Sequence, residues 1–292
     1  MATATGPLVE RPAWLDEAVW PFPSRTCPSA HGSVAYTDIG SGPTLLFVHV
    51  GFWSFVWRDV LAILSTSFRC VTLDAPGTGL SAARTPGMHE AADAIDAVVT
   101  RLDLHDITLV VHDLGGPAAL EAAARWPDRV HRLVAVNTFG WKPRGVAFTG
   151  MLRVMGSAPM RAFDTATGFL PRAASTRMGV GRRLDRDARR MFRRGVDRRG
   201  RASFHRYMRA ARIHDYQAID TVLTALSDRP LLTIFGARND PLRFQPRWRE
   251  RFDDIHQVRV PRGNHFPMND DPSLVAREIA AWHARTTQES GM

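Results

Sequence analysis

The chain has 292 residues, 45% of them hydrophobic and 23% charged, with a formal net charge of +9. Those values suit one large globular domain with an insertion, and no apolar run approaches the ~20 residues that a membrane helix needs. The first residues, Met1–Glu17, carry no basic stretch followed by an apolar one, and Cys27 and Cys70 are too few for a disulfide framework or a zinc site.

In chain order, Cys27–Tyr36 and Tyr36–Gly42 suggest an antiparallel N-terminal hairpin. Thr44–Val50, Phe68–Pro76, Ile107–Asp113, Val130–Thr138 and Leu231–Ala237 are apolar runs bounded by Gly, Pro and Asp, and they read as buried parallel strands. Gln257–Val260 is one further strand-like run. Helical patterns fill Val56–Leu64, Met88–Leu102, Pro117–Trp126 and Ser273–Ala284, with Asp271 as a helix N-cap before Pro272. Strand alternating with helix predicts a mostly parallel central sheet with helices on both faces.

Between Trp141 and Asp228 the alternation stops, and the sequence turns helical and rich in Arg, Met and Phe. It then returns directly to a strand. We read residues 1–140 and 229–292 as one core domain and 141–228 as an inserted helical cap over the carboxyl ends of the strands, where open α/β sheets bind ligands.

The positive charge is almost all arginine, since Lys142 is the only lysine, and it is densest from Arg182 to Arg212. Arginines interleaved with Phe192, Phe204 and Tyr207 could meet phosphates and stack on bases. Asp185, Asp187 and Asp197 stand among them at helical spacings, which fits a solvated helical face with local ion pairs. We take the second reading and expect neither a nucleic-acid nor a membrane partner.

The most informative segment is Leu109-Val110-Val111-His112-Asp113-Leu114-Gly115-Gly116-Pro117. An apolar strand ends in a sharp turn with a small residue two after Asp113, and a helix begins at once. This layout lifts one side chain above the sheet on a strained turn. A carboxylate, with a reference pKa of ~3.9, is ionised at neutral pH and needs no base to attack a saturated carbon, forming an alkyl ester on the enzyme. A plain helix N-cap is the structural alternative for Asp113.

Two further segments supply partners. Gly236-Ala237-Arg238-Asn239-Asp240-Pro241 follows a buried strand and offers Asp240 as an orienting acid, and Gly263-Asn264-His265-Phe266-Pro267-Met268 follows the last strand. His265 would activate water, with Asp240 holding its tautomer. Leu114 and the loop residues Gly51 and Phe52 are the expected backbone donors to the oxyanion. His112 reads as a packed strand residue, His49 as shaping the oxyanion loop, and Asp74 as a ligand of local backbone.

The chain resembles the haloalkane dehalogenase and epoxide hydrolase branch of the α/β-hydrolase superfamily, from about Trp20 to Trp282. The likeness is carried by Trp53-Ser54-Phe55-Val56-Trp57-Arg58-Asp59, Asp74-Ala75-Pro76-Gly77-Thr78-Gly79-Leu80-Ser81, the Asp113 elbow and His265-Phe266-Pro267-Met268-Asn269-Asp270-Asp271-Pro272. It implies the α/β-hydrolase fold and a cofactor-free hydrolase with the triad Asp113, Asp240 and His265, in the chain order of that superfamily.

Two departures bear on substrate. Dehalogenases of this kind usually have His-Gly-Asn-Pro where this chain has His49-Val50-Gly51-Phe52, and Trp after the nucleophile where it has Leu114. Trp53 and Trp141 are candidate replacement donors to a leaving group. Epoxide hydrolases of this type use two cap tyrosines, and here the cap offers Tyr207 and Tyr216, both late in it. The resulting expectation is dehalogenase-like chemistry on a small molecule with an electrophilic carbon. Epoxide opening is the first alternative, and a lyase, cyclase or isomerase on the same scaffold the second. The expected protein is cytoplasmic, with no cofactor and no metal; the sequence leaves its oligomeric state open.

Overall fold

A computed structural model describes residues 6–182 and 184–290. Eight strands form one sheet: β1 (Arg25–Ser29), β2 (Gly32–Ile39), β3 (Thr44–Val50), β4 (Arg69–Leu73), β5 (Ile107–Asp113), β6 (Val130–Thr138), β7 (Leu231–Gly236) and β8 (Ile255–Val260). Their order is β1-β2-β4-β3-β5-β6-β7-β8. β2 runs antiparallel to β1 and β4, and every later pairing is parallel. The fold is that of an α/β hydrolase.

The helices of the core are α1 (Arg58–Leu64), α2 (Met88–Arg101) and α3 (Gly115–Ala123). The stretch between β6 and β7 carries α4 (Val146–Met155), α5 (Ala158–Thr167), α6 (Phe169–Ala174), α7 (Arg186–Arg194), α8 (Arg198–Ile213) and α9 (Gln217–Ala225). The short α10 (Phe244–Arg247) and α11 (Pro267–Asp270) precede α12 (Pro272–Ser290). Among the described residues no strand interrupts the stretch between β6 and β7, as its composition predicts.

The central strands are buried on both faces, which is why they read as continuous apolar runs: Leu109, Val110 and Val111 of β5 are all fully inaccessible. The hairpin forms one turn earlier than expected. Tyr36 pairs with Arg25 in mid-strand, and the reversal falls at Ala30–His31. There Ser29 Oγ donates to the Gly32 carbonyl and accepts from the His31 amide, and Gly32 takes a φ of +115°. β4 is shorter than its apolar run; the Asp74 amide still bonds the Ala35 carbonyl, and the chain then turns away. The Asp74 carboxylate accepts from the Ser54 amide and hydroxyl and from the Leu80 amide. Asp271 Oδ1 accepts from the Leu274 amide and caps α12, as expected.

Within the insertion, α4 and α5 lie against α8. The buried His205 of α8 bonds Asp164 of α5 at 3.1 Å and the Met155 carbonyl at 2.6 Å. α9 returns to the core and lies on α3. Asp185 and Asp197 are N-caps of α7 and α8, and Asp187 pairs with Arg190. Phe192, Phe204 and Tyr207 are buried, so the rings among the arginines serve packing and are not presented for base stacking. Among the described residues no helix is long and apolar enough to cross a membrane.

Close crossing of α3 over β3 fixes Gly115: a Cβ there would stand 2.5 Å from the Val48 carbonyl oxygen. Gly150, inside α4, has nothing within 4 Å of that position. We expect Gly115→Ala to cost about 2 kcal/mol or more through overpacking against backbone. Gly150→Ala should gain about 0.5–1 kcal/mol from helix propensity. Urea denaturation of both variants checks the contrast.

Candidate active site

Asp113 ends β5 with a φ of +53°, in the left-handed region that a non-glycine residue adopts only under tertiary constraint. Two features hold it there. The β5–β6 register slips between His112 and Asp113, and Thr138 Oγ1 donates to the Asp113 carbonyl at 2.6 Å. α3 begins at Gly115, so the carboxylate stands above the sheet at the head of a helix. The geometry is that of the predicted elbow.

His265 Nε2 lies 3.4 Å from Asp113 Oδ2. The two side chains are only partly buried, with 31% and 16% of their surface exposed, so solvent reaches the pair. Backbone anchors hold His265. Its carbonyl accepts from His112 Nε2 at 2.7 Å and from Asn137 Nδ2 at 2.9 Å. Asn137, at a φ of +36° on the end of β6, also bonds the Asn264 carbonyl and takes the Gly236 amide on its Oδ1. Asp270 accepts from the Asn264 amide and from the Gly181 amide, which joins the histidine loop to the insertion.

The structure separates Asp240 from the histidine. Its carboxylate accepts from the Phe244 amide at 2.6 Å and the Gln245 amide at 3.2 Å, and it pairs with Arg259 at 3.3 Å. Burial raises its pKa, and those same bonds oppose the shift. The neighbour of His265 Nδ1 is Asn239, whose Nδ2 stands 3.2 Å away. The turn after β7 decides this: the Asn239 amide bonds back to the Gly236 carbonyl and the Arg238 amide to the Gly263 carbonyl, so residue 239 faces the histidine loop.

His49 and His112 lie beneath the site. The Phe52 amide donates to His49 Nε2 at 3.2 Å, the two Nδ1 atoms are 2.9 Å apart, and His112 Nε2 reaches the His265 carbonyl. A carbonyl only accepts, so His112 carries its proton on Nε2 and its Nδ1 accepts from His49 Nδ1–H. One proton arrangement then satisfies every partner. Burial, and after it the neighbouring His265, push the His49 imidazole down to about 3. Burial and the same imidazole neighbours hold His112 well below its ordinary value. His49 bonds the Phe52 amide in the loop after β3, and His112 proves to be more than packing. Its place beside the nucleophile was visible in the sequence, its partners were not.

The chain from His49 also engages the Phe52 amide, one of the three expected oxyanion donors. Phe52 itself packs against Phe266 at 5.7 Å and, in the cap, Phe192 at 5.2 Å and Phe204 at 6.0 Å, giving the site an apolar ceiling. Gly51, at a φ of +103°, has no room for a Cβ, which would meet the Phe204 ring at 2.9 Å. These phenylalanines carried no functional signal in the sequence.

The expected leaving-group residues fare differently. Tyr207 donates to the Pro76 carbonyl at 2.7 Å and Tyr216 to the Ala211 carbonyl at 3.0 Å, so neither hydroxyl is directed at Asp113. Burial raises both phenol pKa values. Trp53 stacks on Phe55 and meets Trp14 and Trp20, which places it toward the N-terminal segment. Trp141 sits with Phe244 and Trp248 under the Arg247 guanidinium. Both indole N–H groups are buried with no hydrogen-bond partner among the described residues. A cavity of about 510 Å³ beside the histidine loop is lined by Arg177, Arg182, Arg238, Arg262 and Asp270, and its lining does not include Asp113 or His265.

The neutral histidine pair has a consequence for acid stability. Folded values depressed below the ordinary 6.5 mean that the unfolded chain binds protons first as pH falls. Their contribution is complete above pH ~6.5 and is lost progressively below it. Calorimetric melting between pH 7.5 and 5 should show Tm falling more steeply below that point in the wild type than in His49→Gln.

Comparison with known proteins places this geometry. Residues 45–278 match the alpha/beta hydrolase family. Haloalkane dehalogenase 2 of Mycobacterium tuberculosis is 32% identical over 282 residues, which is 90% of this chain and 96% of that protein. A cis-3-alkyl-4-alkyloxetan-2-one decarboxylase of Shewanella oneidensis is 31% identical over 129 residues, 42% of this chain and 41% of that protein. Among solved structures, haloalkane dehalogenase DbeA from Bradyrhizobium elkani superposes with a TM-score of 0.78 at 20% identity, covering 91% of this chain and 99% of that one. The chain is an enzyme of the alpha/beta hydrolase family and belongs to its haloalkane dehalogenase-like branch.

Proposed function

We propose that the protein hydrolyses a small apolar molecule bearing an electrophilic saturated carbon, haloalkanes foremost, through an alkyl ester on Asp113. The observation that carries this reading is an aspartate at the elbow, at a φ of +53°, with His265 Nε2 3.4 Å from its carboxylate. An Asp113 oxygen forms a bond to carbon, and the leaving group departs with the bonding pair. Water then adds to the ester carbonyl while His265 Nε2 takes its proton. The tetrahedral oxyanion is held by the amides of Leu114 and Gly51, the Phe52 amide being engaged by His49. Collapse returns the Asp113 carboxylate and releases the alcohol, which recovers the proton from His265.

For the leaving group, Trp141 is the better of the two candidate indoles. Trp248, against which it packs, donates to the Thr138 carbonyl, and Thr138 bonds the Asp113 carbonyl. Trp53 has the N-terminal aromatics around its ring and its indole N–H edge closed off against Gly195 of the insertion. The tyrosine geometry argues against epoxide opening, which needs a hydroxyl aimed at the departing oxygen.

Asn239 gives the second half-reaction a particular character. To act as base at Nε2, His265 must hold its proton on Nδ1; Asn239 presents Nδ2 to that atom, so its Oδ1 would accept the proton only once the side-chain amide turns over. An amide carries no charge to balance the imidazolium. Ester breakdown is therefore the slow step, and Asn239→Asp should speed it about tenfold, the difference between a neutral and a charge-assisted hydrogen bond. Asp240→Asn should leave it within about twofold. The reverse result, with Asp240→Asn blocking breakdown, would return the orienting role to Asp240.

One observation favours a non-hydrolytic reading: the same Asn239 contact, since an enzyme that activates no water needs no orienting carboxylate. Isotope labelling separates the two. Hydrolysis in oxygen-18 water labels Asp113 in the first turnover and the product alcohol in later ones; a non-hydrolytic route labels neither.

Intact-protein mass spectrometry of His265→Phe, incubated with separate pools of halogenated alkanes and epoxides, tests the main reading. An adduct equal to the alkyl group without halogen is expected, and Asp113→Asn should form none. An adduct of a whole epoxide would move the assignment to epoxide hydrolysis. A folded protein that forms no adduct with either pool would sink the haloalkane reading.

A further inference from the structure

We propose that His89, Glu121 and His214 form a binding site for one divalent transition-metal ion, Zn²⁺ foremost, that fastens the cap to the core. His89 stands in the first turn of α2, Glu121 lies on α3, and His214 directly follows α8. The three come from distant parts of the sequence, so no ligand spacing announces them. Their candidate donor atoms all lie within 4.8 Å of one another. His214 Nε2 is 2.9 Å from Glu121 Oε2, and His89 Nδ1 contacts Glu121 Oε1 from the other side.

The strongest sign is what the buried atoms fail to do. The Glu121 and His214 side chains are only 7% and 4% exposed. Glu121 Oε2 and His214 Nε2 are nevertheless without a hydrogen-bond partner among the described residues, because their close approach lacks hydrogen-bond alignment. A buried carboxylate oxygen left unsatisfied is costly. Two imidazole nitrogens and a carboxylate gathered within 4.8 Å of one another suit a cation that accepts all three.

The donor set selects the class of ion. Two imidazoles and one carboxylate match Zn²⁺, Co²⁺ or Ni²⁺, whereas Mg²⁺ and Ca²⁺ prefer all-oxygen shells. Metal–ligand bonds of about 2.0–2.1 Å in a tetrahedron put donor atoms roughly 3.3 Å apart, which small side-chain adjustments reach from these separations. His89 is 71% exposed, so the fourth position opens to water and the ion has an entry path. Tyr216 packs its ring on His214 at 5.3 Å and donates its hydroxyl to Ala211, so it supports the site without ligating. Glu121 lies six residues along α3 from Gly115, roughly 9 Å of helix rise beyond the elbow. The ion therefore serves structure: it would tie α2 and α3 to the end of the cap helix α8.

The test uses the untagged full chain, stripped with EDTA and exchanged into metal-free buffer. Calorimetric titration with ZnSO₄ and elemental analysis after gel filtration should find one equivalent per chain, with a rise in Tm. Cobalt in its place should show the visible absorption of a tetrahedral ion. Glu121→Gln and His214→Ala should abolish both signals. His89→Ala changes an exposed side chain, so it keeps the fold and should weaken binding at least tenfold. Absence of bound metal in the folded wild type, or binding that survives His89→Ala and Glu121→Gln unchanged, overturns the site.

Discussion

The hydrogen bond from His112 Nε2 to the His265 carbonyl holds the site in one frame. His112 precedes the elbow on β5, His265 lies in the loop after β8, and His49, bonded to His112, leads into the loop that carries Gly51 and Phe52. Asp113, His265 and the loop of Gly51 and Phe52 thus meet through two buried rings. The frame requires both rings to be neutral, since an added proton would leave two donors face to face. Burial supplies that neutrality, and Asn137 repeats the support from β6. The strained backbone at Asp113 survives because the surrounding contacts over-determine it.

Much of this was legible in the sequence where a single segment decides the outcome. β3, β5 and β6 begin and end where their apolar runs do, because strands buried on both faces are dominated by consecutive apolar residues. The elbow was readable for the same reason: its meaning lies within a few consecutive residues. The orienting partner was not. Asn239 and Asp240 are neighbours, and which one faces His265 depends on a turn closed by Asn239 on Gly236 and on a bond from Arg238 to Gly263, far away in the sequence. The tyrosines failed in the same way, since residue type shows that a hydroxyl exists and tertiary packing decides where it points.

The arginine-rich insertion is a divided surface. α7 and α8 turn Phe192 and Phe204 down onto Phe52, each buried ring contributing about 1.5–3 kcal/mol, and leave most of their arginines to solvent. The aspartates among the arginines serve helix capping and a local pair. The cap is also tied to the core by directed bonds, Tyr207 to the Pro76 carbonyl and Asp270 to the Gly181 amide. Tyr207, which resembles an active-site donor in sequence, here joins the insertion to the core.

An amide beside His265 divides the proposed chemistry unevenly. Alkylation of Asp113 needs an ionised carboxylate in an apolar enclosure, and neither requirement involves residue 239. Ester hydrolysis generates an imidazolium, and its stabilisation depends on what faces Nδ1. A carboxylate there would oppose the new charge directly; Asn239 offers only a dipole, while His49 and His112 remain neutral beneath it. In the proposed reaction this arrangement would favour forming the covalent intermediate over discharging it. On the proposed mechanism the ester would be long-lived, and its lifetime would set the rate at which the site returns to its free state.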